Sequence, residues 1–507
     1  MLIGAELFFT LLGGHQITLA TGYPILQKTV LGYIVCGKVP EPASETSATQ
    51  TSHLCVDQDL NSQLERFWAI EDFDHGKVYT PDEQFCEDHF IRTVARDNDY
   101  IVRLPLRDKL LSFLGNSYLS AHRRFLAMEK KLAADANLRE DYTKFMDEYE
   151  RLGHMEMSTS ASCSPQFYLP HHAIQRPEST TTKTRVVFDG SCRVSNSLSL
   201  NDVLYTGPTV QPALYSTIVN FRMPRFVVTA DVEKMFRQIW IHPEDRKYQQ
   251  ILWRRHPSDS LSTYQLKTVT YGLSSSPYHA ARVLNQVLID EGNRFPLAVP
   301  IIQSGTYVDD ILTGNDEIQE LQEACKQLIE LLRCAGLGLR KWASNNTEVL
   351  QNIPPELWET SVELEIDRTS VIKTLGLLWF PNEDVFKIKL PALTELELVT
   401  KRVVVSEMSR LYDPLGLLGP VVVNAKMFVQ TLWAKNSPWD QELSETHRVW
   451  WKHYRTDLKR LQSLQIPRRV MVNINREYSL HCFCDASIRG YGCCIYIVSS
   501  DENNKQH

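Results

Sequence analysis

The sequence has little of what marks three common classes of protein: regularly spaced cysteines, long apolar runs and an excess of positive charge. Its 11 cysteines among 507 residues include no C-x-x-C pair, which argues against a zinc ribbon or knuckle. Their odd number is typical of reduced, intracellular thiols. The longest early apolar run, residues 7–12, is too short to cross a bilayer, and the acidic, lysine-free start is unlike a signal peptide. We therefore expect a soluble cytoplasmic protein with no membrane partner.

Charge gives no global sign of a nucleic-acid partner, because 54 lysines and arginines face 61 acidic residues and the net charge is −7. With 43% hydrophobic and 23% charged residues, the composition is that of ordinary globular proteins and excludes long disordered or collagenous chains. Residues 176–255 differ, since they hold 12 lysines and arginines against 7 acidic residues. Such a stretch can be a solvated face, but here it surrounds the acidic residues described next, and phosphate contact is favoured.

Hydrophobic spacing predicts a mixed chain of helices and strands. Helices are expected at residues 121–132, 138–152, after 277, 316–335, 401–412 and 447–461. Strands are expected at residues 29–36, 185–188, 226–232, 373–380, 480–485 and 492–499. Residues 40–52, rich in proline, serine and threonine, are predicted to be a linker.

Three aspartates stand within apolar surroundings. Asp231 ends the run FVVTADV, and Asp309 and Asp310 interrupt YVDDIL. A charge in such a run is costly unless it is paired or bound to a metal. An Asp-Asp pair by itself is also compatible with an exposed turn. The pair together with Asp231 favours a site for divalent cations. In that site a tight hairpin would present Asp309 and Asp310 beside the end of another strand.

These residues resemble the motifs of a known family. The run Tyr307-Val308-Asp309-Asp310 resembles the YxDD box of reverse transcriptases, and residues 231–236 resemble the first metal-binding motif, in which an aromatic residue follows the aspartate by five. Order and spacing are most similar to LTR retrotransposons of the BEL/Pao group. The other segments that carry this resemblance are LERFWAIEDF (64–73), FYLPHHAI (167–174), RVVFDGS (185–191), SLND (199–202), TYGLSSSP (270–277), LRKWASN (339–345), KTLGLLW (373–379) and LYDPLGLLGP (411–420).

The resemblance implies an RNA-directed DNA polymerase that uses two Mg²⁺ ions, with Mn²⁺ as the other ion to consider. Asp231 and Asp309 would be the principal metal ligands, and Asp310 would support or complete the site. The implied partners are an RNA template, a DNA or tRNA primer, deoxynucleoside triphosphates and other parts of the same polyprotein. A virus-like particle would be the location if the full element assembles.

Five further residues receive roles from the resemblance. The backbone of Val232 would lie near the incoming triphosphate, Arg185 would grip it, and Gly272 belongs to the second polymerase motif. Phe236 would be a steric gate against a ribose 2′-hydroxyl, and Lys341 would be the general acid for pyrophosphate. From the residues alone, a core phenylalanine and a surface arginine remain open alternatives for Phe236 and Arg185.

The sequence departs from the family pattern at two places. Tyr271 stands where many reverse transcriptases have glutamine before the glycine, so the contact of that glutamine is not carried over. The fingers lysine also has no counterpart, because Lys183 is only two residues before Arg185 and position 178 is glutamate.

The expected fold is α+β, a right-hand polymerase of fingers, palm and thumb with truncated, β-rich peptidase and ribonuclease H pieces at its ends. The expected domains are a C-terminal aspartic-peptidase fragment (1–39), a linker (40–54), a helical segment leading into the fingers (55–160), fingers and palm (161–345), thumb and connection (346–476), and the start of a ribonuclease H-like domain (477–507).

Both terminal pieces are expected to be inactive. Residues 1–40 contain no Asp-Thr/Ser-Gly turn, and of the ribonuclease H carboxylates only the counterpart of Asp485 is found. Two other hypotheses stay open: a silent relic or domesticated nucleic-acid-binding protein, and a working peptidase completed by an upstream segment.

Overall fold

The computed structural model describes residues 12–18, 25–29, 32–36, 79–158, 165–175, 184–194, 197–359, 372–374, 377–390, 398–434, 438–471, 478–487 and 490–499. The chain divides into two units, Met1–Lys77 and Val78–His507. The predicted linker and the LERFWAIEDF segment lie outside the described residues.

The first unit contains an antiparallel sheet of three short strands in the order β1-β2-β3: Leu12–Thr18, Ile25–Thr29 and Gly32–Cys36. The register pairs Thr29 with Gly32, so the predicted strand over residues 29–36 is in fact the end of β2 and the whole of β3. The two glycine-flanked runs therefore form a hairpin and not one continuous strand.

The second unit has eleven α-helices among its described residues. They are α1 (Pro81–Thr93), α2 (Tyr118–Ala134), α3 (Ala136–Arg151), α4 (Leu200–Val203), α5 (Leu214–Phe221), α6 (Ser276–Glu291), α7 (Val299–Gly305), α8 (Ile318–Arg333), α9 (Lys401–Met408), α10 (Gly419–Ala434) and α11 (Glu445–Leu458). The aromatic side chains Tyr142, Phe145 and Tyr149 of α3 are buried. Helix α9 ends four residues before the predicted residue 412, and Asp413 beyond it accepts the N–H groups of Leu417 and Leu418.

The strands of this unit are β4 (Ala95–Asp97), β5 (Asp99–Val102), β6 (Met155–Met157), β7 (His171–Gln175), β8 (Thr184–Phe188), β9 (Phe226–Val232), β10 (Trp240–Ile241), β11 (Gln250–Trp253), β12 (Ser262–Leu266), β13 (Thr306–Tyr307), β14 (Asp310–Asn315), β15 (Leu339–Ser344), β16 (Ile372–Thr374), β17 (Leu377–Phe380), β18 (Val385–Lys387), β19 (Gln465–Pro467), β20 (Tyr478–Ser487) and β21 (Gly490–Ser499). The sheet orders are β10-β5-β4, β11-β12-β6, β7-β8, β13-β14-β9-β15, β16-β17-β18-β19 and β20-β21. The run predicted as one strand over residues 373–380 forms the antiparallel pair β16 and β17.

The sheet β13-β14-β9-β15 is central because β9 is buried on both faces. Val228, Ala230 and Val232 pack in the main hydrophobic core, to which α8 also contributes. Val227 points to the opposite face and packs in a second core with Trp379 of β17. Such continuous apolar burial explains why the run FVVTADV forms a strand, and it fixes the register that places Asp231 at the strand's end.

A buried arginine joins the β16–β19 sheet to the rest of the unit. Arg468, fully buried, donates to both carboxylate oxygens of Asp384 at 2.6 and 2.8 Å and to the carbonyl of Phe221, the last residue of α5. The pairing is bidentate, and Arg468 also donates to the carbonyl of Arg225 at 3.2 Å, so the buried charge is both paired and hydrogen-bonded. Within the described ranges, no helix is both long enough and apolar enough to span a bilayer.

Candidate active site

Two of the three aspartates lie directly opposite each other in the central sheet. Strands β14 and β9 are antiparallel, and their register pairs Asp310 with Asp231. Side chains of directly opposite residues project to the same face of a sheet, with Cβ atoms roughly 5 Å apart. The strand register, set by the apolar residues of β9, therefore brings together carboxylates that are 79 positions apart in the sequence.

The third aspartate lies in the turn that joins β13 to β14. Tyr307 pairs with Asp310, which leaves Val308 and Asp309 as a two-residue turn. Val308 has a φ of 55°, a left-handed conformation that is strained for a β-branched residue, and its N–H donates to Gln211 at 3.2 Å. The predicted hairpin is confirmed, and backbone strain at its tip is typical of a functional turn.

A backbone hydrogen bond joins this turn to the end of β9. The N–H of Val232 donates to the carbonyl oxygen of Asp309 at 2.8 Å. This bond fixes the hairpin tip against the strand end and so fixes the relative positions of the acidic residues that they carry.

Strand β15 supplies two cations to the same point. Arg340 Nε and Lys341 Nζ each donate to one carboxylate oxygen of Asp231 at 2.9 Å. A β-bulge after Arg340 and a φ of 55° at Lys341 turn both side chains toward the aspartate. Among the described residues, the ligand atoms of the three aspartates do not all lie within 4.8 Å of one another.

Burial and the repulsion between neighbouring carboxylates disfavour ionisation of Asp309 and Asp310. Burial, followed by the charges of Asp309 and Asp231, raises the pKa of Asp310 to about 7. Burial and Asp231 also raise the pKa of Asp309, although Lys341 and Arg185 act in the opposite direction. A cluster of carboxylates that resists ionisation on its own is stabilised by divalent cations, and its hard oxygen donors are those that Mg²⁺ prefers.

Residues 175–344, which include all three aspartates and both cations, match the family model described as "Reverse transcriptase (RNA-dependent DNA polymerase)". The chain contains a reverse transcriptase domain. Its activity class is therefore RNA-directed DNA polymerase, as the motifs predicted.

A second match covers residues 400–507 and is described as a "Pao retrotransposon-like RNaseH-like domain". The match begins within residues 346–476, the segment expected to form thumb and connection. The two matches together support a Pol polyprotein of a Pao-type retrotransposon. A search of curated proteins finds no match. Neither match reaches residues 1–39, so the peptidase fragment stays a prediction.

The structure places the other predicted residues of the reverse transcriptase domain as follows. Phe236 lies in the short 3-10 helix Met235–Gln238 and is partly buried against the main core. Val232 is buried, with its N–H committed to Asp309. Arg185 is exposed on β8, and its influence on the pKa of Asp309 places it on the side of the aspartates. Asp485 lies on a different sheet, exposed on β20 opposite Gly492.

Sequence reasoning missed two charged neighbours of the aspartates. Arg340 is part of the quoted LRKWASN segment, and its position next to Lys341 was a signal that could have been used. Glu359 had no motif to mark it. Its pKa is raised by burial and by Asp231 and lowered by Lys341 and Arg340, which shows that it faces the same charges. A fourth acidic group therefore borders the cluster.

Among the described residues of the stretch 176–255, much of the basic charge is paired with acidic side chains. Acidic residues that precede the stretch in the chain neutralise much of it: Lys234 and Arg237 contact Glu148, and Arg254 contacts Glu129. Further ion pairs of this stretch are Arg193–Asp202, Arg246–Glu156, Arg255–Asp147 and Arg255–Glu150. The number of lysines and arginines in residues 176–255 therefore overestimates the charge that could bind phosphate, because helices α2 and α3, which precede this stretch, supply acidic partners.

Gly272 is required for steric reasons. Its φ is +98°, and an added Cβ would lie 2.0 Å from the carbonyl oxygen of Phe188 at the end of β8. We expect Gly272→Ala to lower the free energy of unfolding by about 2–3 kcal/mol, through overpacking and backbone strain, and to shift the urea midpoint downward. Gly338→Ala is the matched control, since no atom lies within 4 Å of its Cβ position and the midpoint should hardly move. Equal shifts in the two variants would contradict this explanation.

Asp310 is expected to destabilise the metal-free protein at neutral pH. Its pKa is about 7 in the fold against 3.8 ordinarily, so between these values the unfolded chain releases a proton that the folded chain retains. The free energy of unfolding therefore falls as pH rises through this window, and Asp310→Asn removes the loss. With a chelator present at pH 8, the free energy of unfolding of Asp310→Asn should exceed that of the parent chain by on the order of 2 kcal/mol. The gain is measured as a higher thermal midpoint.

At pH 5 the same comparison should give less than half of that gain, because most of the titration window lies above pH 5. Asp97→Asn, at an exposed position of β4, is the control and should leave the midpoint unchanged at both values. A variant that is less stable at pH 8, or equally stabilised at both pH values, would show that Asp310 is ionised in the metal-free fold.

Proposed function

We propose that this chain is the polymerase part of a BEL/Pao retrotransposon Pol polyprotein, which extends the 3′-hydroxyl of a DNA or tRNA primer with deoxynucleotides along an RNA template. The observation that carries the proposal is the register of the central sheet, which pairs Asp231 with Asp310 and bonds the backbone of Asp309 to the end of β9. A cluster of this kind on rigid strands suits phosphoryl transfer, which depends on positioning and charge stabilisation.

Asp231 and Asp309 would hold two Mg²⁺ ions, with Asp310 completing the ligand set and Mn²⁺ as a substitute. When bound, the ions activate the primer hydroxyl and stabilise the leaving pyrophosphate. The chain's own groups support this fit, since three clustered carboxylates with raised pKa values for Asp309 and Asp310 favour divalent cations. Ion binding would compete with Arg340 and Lys341 for the carboxylate of Asp231.

Because a metal ion would displace Lys341 from Asp231, Lys341 would be available as a general acid. Its ammonium group donates an N–H proton to a hydrogen bond with Asp231 at 2.9 Å, so a proton donor lies within the proposed catalytic cluster. Released from Asp231, it would donate that proton to the leaving pyrophosphate. Arg185 is exposed on β8 and offers a guanidinium fork suited to the triphosphate.

In a right-hand polymerase the central sheet β13-β14-β9-β15 would be the palm, and the β7–β8 hairpin would belong to the fingers. Residues 346–476 would form thumb and connection. We propose that the enzyme works in the cytoplasm, inside a virus-like particle when the full element assembles, and together with other parts of the same polyprotein.

Primer extension tests the proposal. The full chain, a DNA primer annealed to an RNA template, deoxynucleoside triphosphates and Mg²⁺ should give extended product, and a chelator or omission of the template should abolish it. Template binding is measured in parallel by fluorescence anisotropy. Binding without product in Mg²⁺ or Mn²⁺ would refute the polymerase and favour a relic that only binds nucleic acid.

A further inference from the structure

Three exposed thiols share one face of the β20–β21 hairpin. The register places Cys484 directly opposite Cys493, and Cys482, two residues before Cys484, projects to the same face. The Sγ atom of Cys482 lies 3.4 Å from that of Cys484 and 3.3 Å from that of Cys493. All three ligand atoms lie within 4.8 Å of one another. The polymerase reaction uses none of these groups.

We propose that Cys482, Cys484 and Cys493 form a Zn²⁺ site. Zinc binds thiolate sulfur at about 2.3 Å, and tetrahedral geometry then places two sulfurs about 3.8 Å apart. The observed separations of 3.3 and 3.4 Å are close to that value, so small changes in side-chain torsion complete the site. Three thiolates leave the fourth position to solvent, as in an open zinc site.

The donor chemistry separates this site from the aspartate cluster. Thiolates are soft ligands that select Zn²⁺ over Mg²⁺, whereas carboxylate oxygens prefer Mg²⁺. Each thiol that coordinates the ion loses its proton to solvent, so binding releases three protons and strengthens as pH rises. The absence of a C-x-x-C pair hid the site in the sequence, because its donors come from two strands and not from one loop.

The hairpin contains its own control residue. Cys494 follows Cys493 directly, pairs in register with Phe483 and therefore projects to the opposite face. It is exposed like the other three. Cys494→Ser changes the same chemical group on the same hairpin without removing a proposed ligand.

The reduced full chain, kept anaerobic, is titrated with Co²⁺ as a spectroscopic probe and then with Zn²⁺. We expect one Co²⁺ per chain with thiolate-to-metal charge-transfer absorption, displaced by Zn²⁺. Cys482→Ser, Cys484→Ser and Cys493→Ser should each weaken binding at least about 100-fold, while Cys494→Ser should bind within about twofold of the parent. Absence of the band in the parent, or equal loss in Cys494→Ser, would overturn the site.

A second measurement needs no variant. Alkylation by iodoacetamide, followed residue by residue with peptide mass spectrometry, should slow at least about tenfold at the three proposed ligands when Zn²⁺ is present, and stay unchanged at Cys494. Equal alkylation of all four thiols with and without Zn²⁺ would refute the site. A disulfide between Cys484 and Cys493 that forms in the presence of Zn²⁺ would refute it as well.

Discussion

Replacing Asp309 by asparagine should reduce primer extension on an RNA template by at least about 10³-fold. The substitution keeps the size of the side chain but removes one of the charges that would hold the metal ions, and loss of several kcal/mol of transition-state stabilisation corresponds to such a factor. The backbone carbonyl that accepts the N–H of Val232 remains, so the turn and its link to β9 should persist.

The experiment compares rates of single-nucleotide addition by the parent and Asp309→Asn, with template affinity and thermal midpoint measured on the same preparations. Template affinity should change less than about threefold, because the loss concerns chemistry and not positioning. Asp97→Asn, the same change at an exposed position of β4, should keep the parent rate. Full activity in Asp309→Asn would remove this residue from the metal site.

Phe236→Ala should lower the preference for deoxynucleotides over ribonucleotides by about 10- to 100-fold. If the ring occupies the space of the 2′-hydroxyl, discrimination arises from a steric clash with the ribonucleotide. Removal of the ring should then raise kcat/KM for ribonucleotides without raising it for deoxynucleotides. Phe236 is only partly buried, so the fold should tolerate the change at a cost of about 1–3 kcal/mol.

The measured quantity is the ratio of kcat/KM for a deoxynucleotide and the matching ribonucleotide. Phe236→Tyr keeps the ring and should retain the parent ratio. Phe113→Ala removes a ring that is 62% exposed and is the control for a general effect of losing a phenylalanine. If Phe236→Ala keeps the parent ratio while remaining folded, Phe236 is a core residue and another group excludes the ribose hydroxyl.

Local sequence determined much of the fold. The strand β9 follows from a run rich in β-forming apolar residues, and helices α2, α3 and α8 follow from apolar side chains at three- and four-residue steps. The exceptions have physical causes. The glycine-flanked segment at residues 29–36 bends into a hairpin, and residues 373–380 do so as well, because apolar composition predicts a strand but does not show where it turns back.

The sequence alone also predicted the reverse transcriptase domain that the family match then showed, while the metal-binding roles of its aspartates stay predictions. Only the tertiary structure decided their surroundings. Arg340, Lys341 and Glu359 come to the cluster through β15 and the chain that follows it, and helices α2 and α3 neutralise arginines that looked free in the sequence. The three thiols of the hairpin likewise meet through strand pairing. Spacing along the chain determines which side chains lie on one face of a helix or strand. Strand register and helix packing determine which helices and strands meet. The net charge at a site depends on the side chains within each element and on the contacts between elements.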